Sequence, residues 1–247
     1  MDNEAKAGAG SEHGIGGGSR MQETLQIKNL SKTFRAKAGD VVAVDGVSFE
    51  ARKGEVTVIV GPSGSGKTTL LYLIGSLESP DEGEIRFFGE DIASATADLI
   101  RYRRERVGFV FQFFNLISAL TALENVMLPM DLRAVPASRQ RDRATELLSR
   151  MGIDARLRRA KANRMSGGEK QRVAIARAMA NDPDIILADE PTGNLDSATG
   201  RVVVDILVKL AREDGKCVII VTHDEDILRV ADRAFFMTDG KLTPHDR

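Results

Sequence analysis

A single cysteine is all the thiol chemistry this 247-residue chain possesses. Cys217 lies in the apolar run Cys217–Val221, so an internal disulfide is excluded and a reducing compartment or plain burial is expected. Long apolar runs are missing as well. None approaches the roughly 18 residues that a membrane-crossing helix needs, so any membrane attachment calls for a separate spanning subunit. Nor is there an excess of either charge. With 35 Lys and Arg against 36 Asp and Glu, the formal net charge of −1 offers no field for wrapping nucleic acid or adhering to an anionic bilayer. No secretory leader is recognisable at the start.

What is present has the ordinary balance of a folded protein. A length of 247 residues supports one sizeable α/β core, or one core carrying a smaller lobe, and is too short for two such cassettes in tandem; a hydrophobic content of 42% is ordinary for a folded chain. Residues 1 to about 20 depart from this balance: Gly14–Ser19 is mostly glycine, and a disordered Gly-rich tail is expected there, with Met21 a candidate natural start and His13 inert. Local charge is less even than the total. Arg139, Arg141, Arg143, Arg150, Arg156, Arg158, Arg159 and Arg164 face few acids, which reads either as a solvated helix face or as a basic side of one lobe.

Residue patterning places the elements. Leu25–Phe49 alternates in strand fashion, a turn at Arg52–Gly54 leads into the apolar run Val56–Val60, and a second turn at Ser79–Gly83 precedes a strand Glu84–Phe88, together predicting a small antiparallel sheet. After the short run Val107–Phe111 the pattern turns helical through Leu120, Leu123, Val126 and Leu128. A further helix, Ser138–Met151, stops at Gly152, so an inserted helical subdomain is expected over about 113–165. Helices from Gly167 and over Ser197–Arg212 then alternate with strands Ile185–Ala188, Cys217–Val221 and Phe235–Met237, the signature of a parallel sheet with helices on both faces. One domain over 21–247 is expected, with no regulatory domain appended after Asp239–Gly240.

The chemistry concentrates behind Val60. Gly61, Pro62, Ser63, Gly64, Ser65, Gly66, Lys67, Thr68 and Thr69 form a glycine-rich loop between a strand and a helix start, where converging backbone N–H groups cradle a phosphate. Lys67 is placed to reach β/γ oxygens and Thr68 to offer its hydroxyl to Mg²⁺. Four apolar residues deliver Asp189 and Glu190 to the end of a buried strand, Asp189 toward the same metal and Glu190 as a general base for water. Ser166 and Glu169 have capping-box spacing around Gly167 and Gly168. That segment is either a well-capped helix or a second anion-gripping helix end, and a second end makes sense only for a nucleotide held by another copy.

Taken in order, the phosphate loop, Gln112, Ser166–Glu169, Asp189–Glu190, Asn194–Asp196 and His223 resemble the ABC-type ATPases over about Leu25–Gly240. Phe109–Gln112, Ala122–Asn125 and Asp189–Asp196 are similar to the lipoprotein-sorting, macrolide-efflux and cell-division branch, the MacB/LolD/FtsE type. The resemblance implies a P-loop NTPase fold: a RecA-like parallel sheet flanked by helices, an antiparallel β-subdomain and an inserted α-helical subdomain. It also implies a homodimer that closes head to tail around two ATP molecules with Mg²⁺, so that Lys67, Thr68, Asp189 and Glu190 face Ser166, Gly167, Gly168 and Glu169 of the other copy. Gln112 would touch the metal and the water, His223 would hold the γ-phosphate near Glu190, and Asp196 would span the dimer seam. Phe34 matches the adenine-stacking position, against the alternative of a strand-end core residue. Three departures from the family pattern, Met165, Glu169 and Phe113, remove no reacting group.

By the same resemblance the chain would be an ATPase subunit on the cytoplasmic face of the cell membrane, peripheral through a transmembrane permease, with no nucleic-acid partner. Phe113, Phe114, Leu116 and Leu120 are candidates to line the groove that receives a permease helix. Transport is the leading reading, of export, lipid-extraction or mechanotransmission type. The alternative is a regulatory ATPase that signals through a membrane partner to cell-wall or division machinery. Soluble forms acting on DNA or ribosomes carry a long coiled-coil insertion or a second cassette, neither of which is seen here. The cargo would be chosen by the permease.

Overall fold

Val56–Val60 is buried at all five positions, which a strand achieves only when both faces of its sheet are covered. The computed structural model, which describes residues 24–35, 37, 39–87, 89–92 and 98–245, shows how that covering is built. The Gly-rich tail, Met21, His13 and Phe88 lie outside the described residues.

Two sheets carry the fold. The first has the order β2-β1-β4-β5, made of β1 (Thr24–Phe34), β2 (Val41–Arg52), β4 (Glu82–Phe87) and β5 (Glu90–Asp91), all antiparallel. The second has the order β10-β9-β3-β8-β7-β6, from β3 (Val56–Val60), β6 (Val107–Val110), β7 (Ile185–Asp189), β8 (Cys217–Thr222), β9 (Arg233–Thr238) and β10 (Lys241–Pro244). Its pairings are parallel except for the edge pair β9–β10. This is the P-loop arrangement of a parallel sheet beside an antiparallel subdomain.

Strand residues divide by parity between the two faces. Val58, Ile186, Ala188, Val218 and Ile220 point into a core shared with α3 (Ala122–Asp131), α4 (Ala137–Arg150), α6 (Gly167–Ala178) and α7 (Ser197–Arg212). Ile59, Ile185, Leu187, Ile219 and Val221 point the other way, into a core shared with α1 (Lys67–Ile74) and with Leu25, Ile27 and Ile85 of the small sheet. Each buried Val, Leu or Ile among them stabilises the fold by about 1.5–3 kcal/mol, so the central strands are the rigid floor on which the loops at their C-terminal ends sit. Cys217 is fully buried there, and burial pushes its thiol up to about 12.

The chain folds one helix that its apolar periodicity does not announce. In α2 (Leu99–Arg106) only Tyr102 is buried, so no apolar stripe exists to read; Asp98 caps it by accepting from Arg101 N at 2.9 Å. A short α5 (Ala155–Arg158) is likewise started by Asp154. No helix among the described residues is long and apolar enough to cross a membrane.

Candidate active site

The loop after β3 is shaped by two glycines that nothing larger can replace. A Cβ on Gly61 would lie 2.1 Å from the Met237 carbonyl oxygen, and one on Gly66 would lie 2.0 Å from that of Ala43, at a φ of +103°. Gly66 is also the N-cap of α1 and offers no side chain, so the first N–H groups of that helix, from Lys67 onward, are left to a ligand. Lys67 is buried, and its Nζ donates to the Gly61 and Pro62 carbonyls at 2.8 Å each. Burial lowers the pKa of its ammonium, opposed by the charges of Glu190 and Asp189.

Opposite the loop, β7 ends at Asp189, whose Oδ1 accepts from Thr68 Oγ1 at 3.0 Å. Burial raises the pKa of this carboxyl, the Thr68 hydrogen bond lowers it, the Glu190 charge raises it again, and the Lys67 ammonium lowers it; the net shift is upward. Glu190 follows with a φ of +45°, a left-handed conformation unusual for a side-chain-bearing residue, and its N–H is held by the Val221 carbonyl at 2.9 Å. One carboxylate oxygen of Glu190, Oε2, accepts from Thr222 Oγ1 at 2.9 Å and from His223 N at 3.3 Å, and lies 3.0 Å from His223 Nδ1. The end of β8 thus orients the second acid.

Gln112 stands where β6 gives way to a turn. Its backbone carbonyl accepts from Asn194 Nδ2 at 2.9 Å, and a Cβ on Gly193 would lie 2.7 Å from its Nε2, so the amide rests directly on that glycine. Gln112, Asp189, Glu190 and His223 line one side of an open cleft of about 690 Å³ whose floor is Ser63, Gly64, Gly66, Lys67, Thr68 and Thr69. Its third wall is hydrophobic: Phe34, Val41 and Ala43. Phe34 is 39% exposed, pairs across the hairpin with Val41 and has Lys32 Nζ 5.6 Å from its ring centroid.

The donors at the base of the cleft suit a hard cation. Among the described residues no group of three or more His, Cys, Asp and Glu could hold an ion alone. The Thr68 hydroxyl and Asp189 carboxylate are within 3.0 Å of each other, and Gln112 lines the same cleft. That is an all-oxygen partial set of the kind Mg²⁺ uses when substrate phosphates and waters complete its shell, so the residues fit the ion.

Comparison with known proteins agrees with this geometry. The family described as "ABC transporter" matches residues 44–193. The chain belongs to the ABC transporter ATP-binding family. An uncharacterized ABC transporter ATP-binding protein of Methanocaldococcus jannaschii, MJ0796, is 44% identical over 229 residues, 90% of this chain and 97% of that one. Its dimeric structure in a post-hydrolysis state bound to ADP and Pi superposes with a TM-score of 0.83 at 43% identity, covering 90% of this chain and 98% of that one. The lipoprotein-releasing system ATP-binding protein LolD of Gluconobacter oxydans is 44% identical over 89% of this chain and 95% of its own length. MacB of Syntrophobacter fumaroxidans, a macrolide export ATP-binding/permease protein, is 41% identical over 90% of this chain, which spans 31% of it. The chain is an ABC ATPase cassette of the LolD and MacB type.

Within this ABC cassette, the remaining candidates lie apart from the cleft. None of Ser166, Gly167, Gly168 and Glu169 lines it. Ser166 caps α6 in a full capping box: Glu169 N donates to Ser166 Oγ at 3.3 Å and Ser166 N to Glu169 Oε2 at 2.8 Å. Gly168 has a packing reason of its own, since a Cβ there would lie 2.2 Å from Thr199 Cγ2 on α7. Asp196 caps α7, accepting from Ala198 N, Thr199 N and Thr199 Oγ1; the Thr199 hydroxyl above all holds its carboxyl below the usual range. An apolar groove of about 580 Å³ does open beside the Gln112 turn. Ile100, Phe109, Phe111, Pro129 and Leu132 line it; Phe113, Phe114, Leu116 and Leu120 lie outside that lining, Phe113 carried outward to 73% exposure and Leu116 packed partly on the core. Sequence reasoning did not single out Val41, Ala43, Thr222 or Gln171; the first two show only in the register of the β1–β2 hairpin.

Proposed function

We propose that this cassette hydrolyses ATP as a head-to-tail homodimer and powers a separate membrane permease of the export, lipoprotein-extraction or mechanotransmission type. One observation carries the reading: Lys67, Thr68, Gln112, Asp189, Glu190 and His223, drawn from four segments of the chain, converge on a single cleft beside a hydrophobic wall. The wall suits a nucleobase stacked on Phe34, and the glycine loop with the α1 N-terminus suits the phosphates. Lys67 would exchange its loop carbonyls for β/γ oxygens. Thr68, Asp189 and the Gln112 amide oxygen would hold Mg²⁺, which supplies charge neutralisation on the phosphates when bound.

In the hydrolytic step a water oxygen attacks the γ-phosphorus, Glu190 accepts the water's proton, and ADP departs with the bond to the bridging oxygen. Thr222 and His223 keep Glu190 aimed by occupying one of its oxygens. Ser166 and Gly168 of the second copy complete the site with the N-terminus of α6, whose Glu169-braced cap holds the serine in place. The groove formed by Ile100, Phe109, Phe111, Pro129 and Leu132, bordered by Arg103 and Arg104, offers the permease an apolar seat beside the turn that carries Gln112.

The test is ATP turnover by the purified chain with and without Mg²⁺, alone and with a co-expressed permease from the neighbouring gene. Mg²⁺-dependent turnover that the permease alters is expected. A chain inactive in both settings overturns the reading.

A further inference from the structure

We propose that Gln171 and Arg177 of α6 are positioning residues that fix Gln112 in the cleft by gripping the backbone on either side of it. The inference deepens the function proposed above and rests on it for what Gln112 does. The observation is a run of backbone carbonyls taken by side chains. Gln171 Nε2 donates to Pro191 O at 2.7 Å and to Phe111 O at 3.4 Å, immediately before Gln112. Arg177 Nη2 donates to Phe114 O at 2.8 Å and Nη1 to Asn115 O, two and three residues after it. Asn194, from the loop that follows Glu190, takes the carbonyl of Gln112 itself.

Neither α6 residue is there for packing. Gln171 is fully buried, and its Oε1 has no hydrogen-bond partner, a cost that a leucine of similar size avoids. Arg177 forms no ion pair among the described residues, and burial pulls its pKa below the usual guanidinium value. A half-buried guanidinium without an acid is partly desolvated, a cost that its bonds to two backbone carbonyls offset. What it binds is unfavourable backbone: Phe114 and Asn115 have φ of +60° and +49°, two consecutive left-handed residues that bear side chains. The grip holds that turn closed, with Phe113 outside it, while Gln171 ties the strand exit to Pro191, the residue after Glu190. The helix that begins at Ser166 therefore sets the backbone of both Gln112 and the Glu190–Pro191 turn.

Two measurements decide it. In the full chain without nucleotide, hydrogen exchange reads the Phe114 and Asn115 amides, which donate to Phe111 O and Phe113 O at 3.2 and 2.6 Å. Gln171→Leu is expected to speed their exchange on the order of ten-fold while β3 and β8 stay protected; unchanged exchange overturns the proposal. Should that variant fail to fold, Arg177→Lys, which retains the charge but not the two-carbonyl fork, takes its place with the same two outcomes. The second measurement is a double-mutant cycle on kcat at saturating Mg²⁺-ATP. Gln171→Leu alone is expected to lower kcat about ten-fold with KM within about two-fold, and to have no further effect in a Gln112→Ala background. Multiplicative losses in the double variant overturn it. An inactive wild-type chain would remove the proposed function, whereas the exchange experiment would still decide this inference.

Discussion

Glu190 Oε2 lies 3.0 Å from His223 Nδ1, and the same oxygen accepts the Thr222 hydroxyl. The other carboxylate oxygen has no hydrogen bond among the described residues, so one side of the acid is spoken for and the other is left to a water. If Glu190 is the base, Glu190→Gln keeps the shape and removes the proton acceptor. ATP turnover is expected to fall by about 10²–10⁴-fold while nucleotide binding persists, and gel filtration with ATP is expected to show a stable dimer. A variant that turns over normally, or stays monomeric with ATP, contradicts the shared-site mechanism.

Asp189, the proposed metal ligand, carries a charge whose burial costs stability. Its folded-state pKa is raised, so the folded chain binds the proton more tightly than the unfolded chain, and ionised Asp189 opposes folding above that raised value. Asp189→Asn should therefore raise the thermal midpoint of the nucleotide-free chain near pH 7 by about 1–4 °C, a gain that shrinks as pH falls and the wild-type acid takes up its proton. The same change should remove the Mg²⁺ dependence of nucleotide binding, measured by calorimetry with and without chelator.

How much of this was legible without coordinates depended on whether the signal was local. Helix α7 could be bounded as Ser197–Arg212 because Asp196 caps it and Val203, Leu207, Leu210 and Ala211 recur at helical spacing. The phosphate loop and the acid pair were legible because each is contiguous and sits at a strand end. Contacts that join distant segments were not. The hydrophobic wall needs the pairing of Phe34 with Val41, a register with irregularities that alternation alone does not fix. Gln171 reads as one of the polar run Glu169–Arg172 that opens α6, and only folding brings it to carbonyls 20 and 60 positions away. Apolarity alone does not say which aromatic residues share a pocket: two left-handed residues turn the chain after Gln112, so that Phe109 and Phe111 line the apolar groove while Phe113 stands outside it.

Acid sensitivity should track Asp184, one residue before β7. Burial works to raise its pKa, but the hydrogen bonds from Lys53 at 2.7 Å and Arg106 at 2.6 Å outweigh it and hold the carboxyl below its usual range. For a depressed acid the stabilisation is present above the unfolded value, near pH 4, and is lost as pH falls through the folded value. Asp184→Asn is expected to cost roughly 1–2 kcal/mol at pH 7, with the two denaturation midpoints converging as the pH falls below the unfolded value and through the depressed folded one. A constant gap across that range would show that the ion pairs are not its source.

The last prediction separates two reasons for a glycine that sequence alone cannot tell apart. Gly168 leaves helix N–H groups bare for an anion, yet its missing Cβ also admits Thr199 Cγ2, which a new methyl group would meet at 2.2 Å. Thr199 cannot retreat freely, since its Oγ1 donates to Asp196 Oδ2 at 2.6 Å and its N–H to Oδ1 at 3.0 Å. Gly168→Ala should thus destabilise the chain by about 1–3 kcal/mol, the usual cost of overpacking. Thr199→Ser deletes the offending methyl and keeps the hydroxyl, so the double variant should regain most of that loss in a denaturant titration. ATP turnover then divides the two roles. If Gly168 serves only packing, activity returns with stability; if its backbone also faces a nucleotide held by the other copy, the refolded double variant stays impaired, because the alanine methyl still crowds the α6 N-terminus.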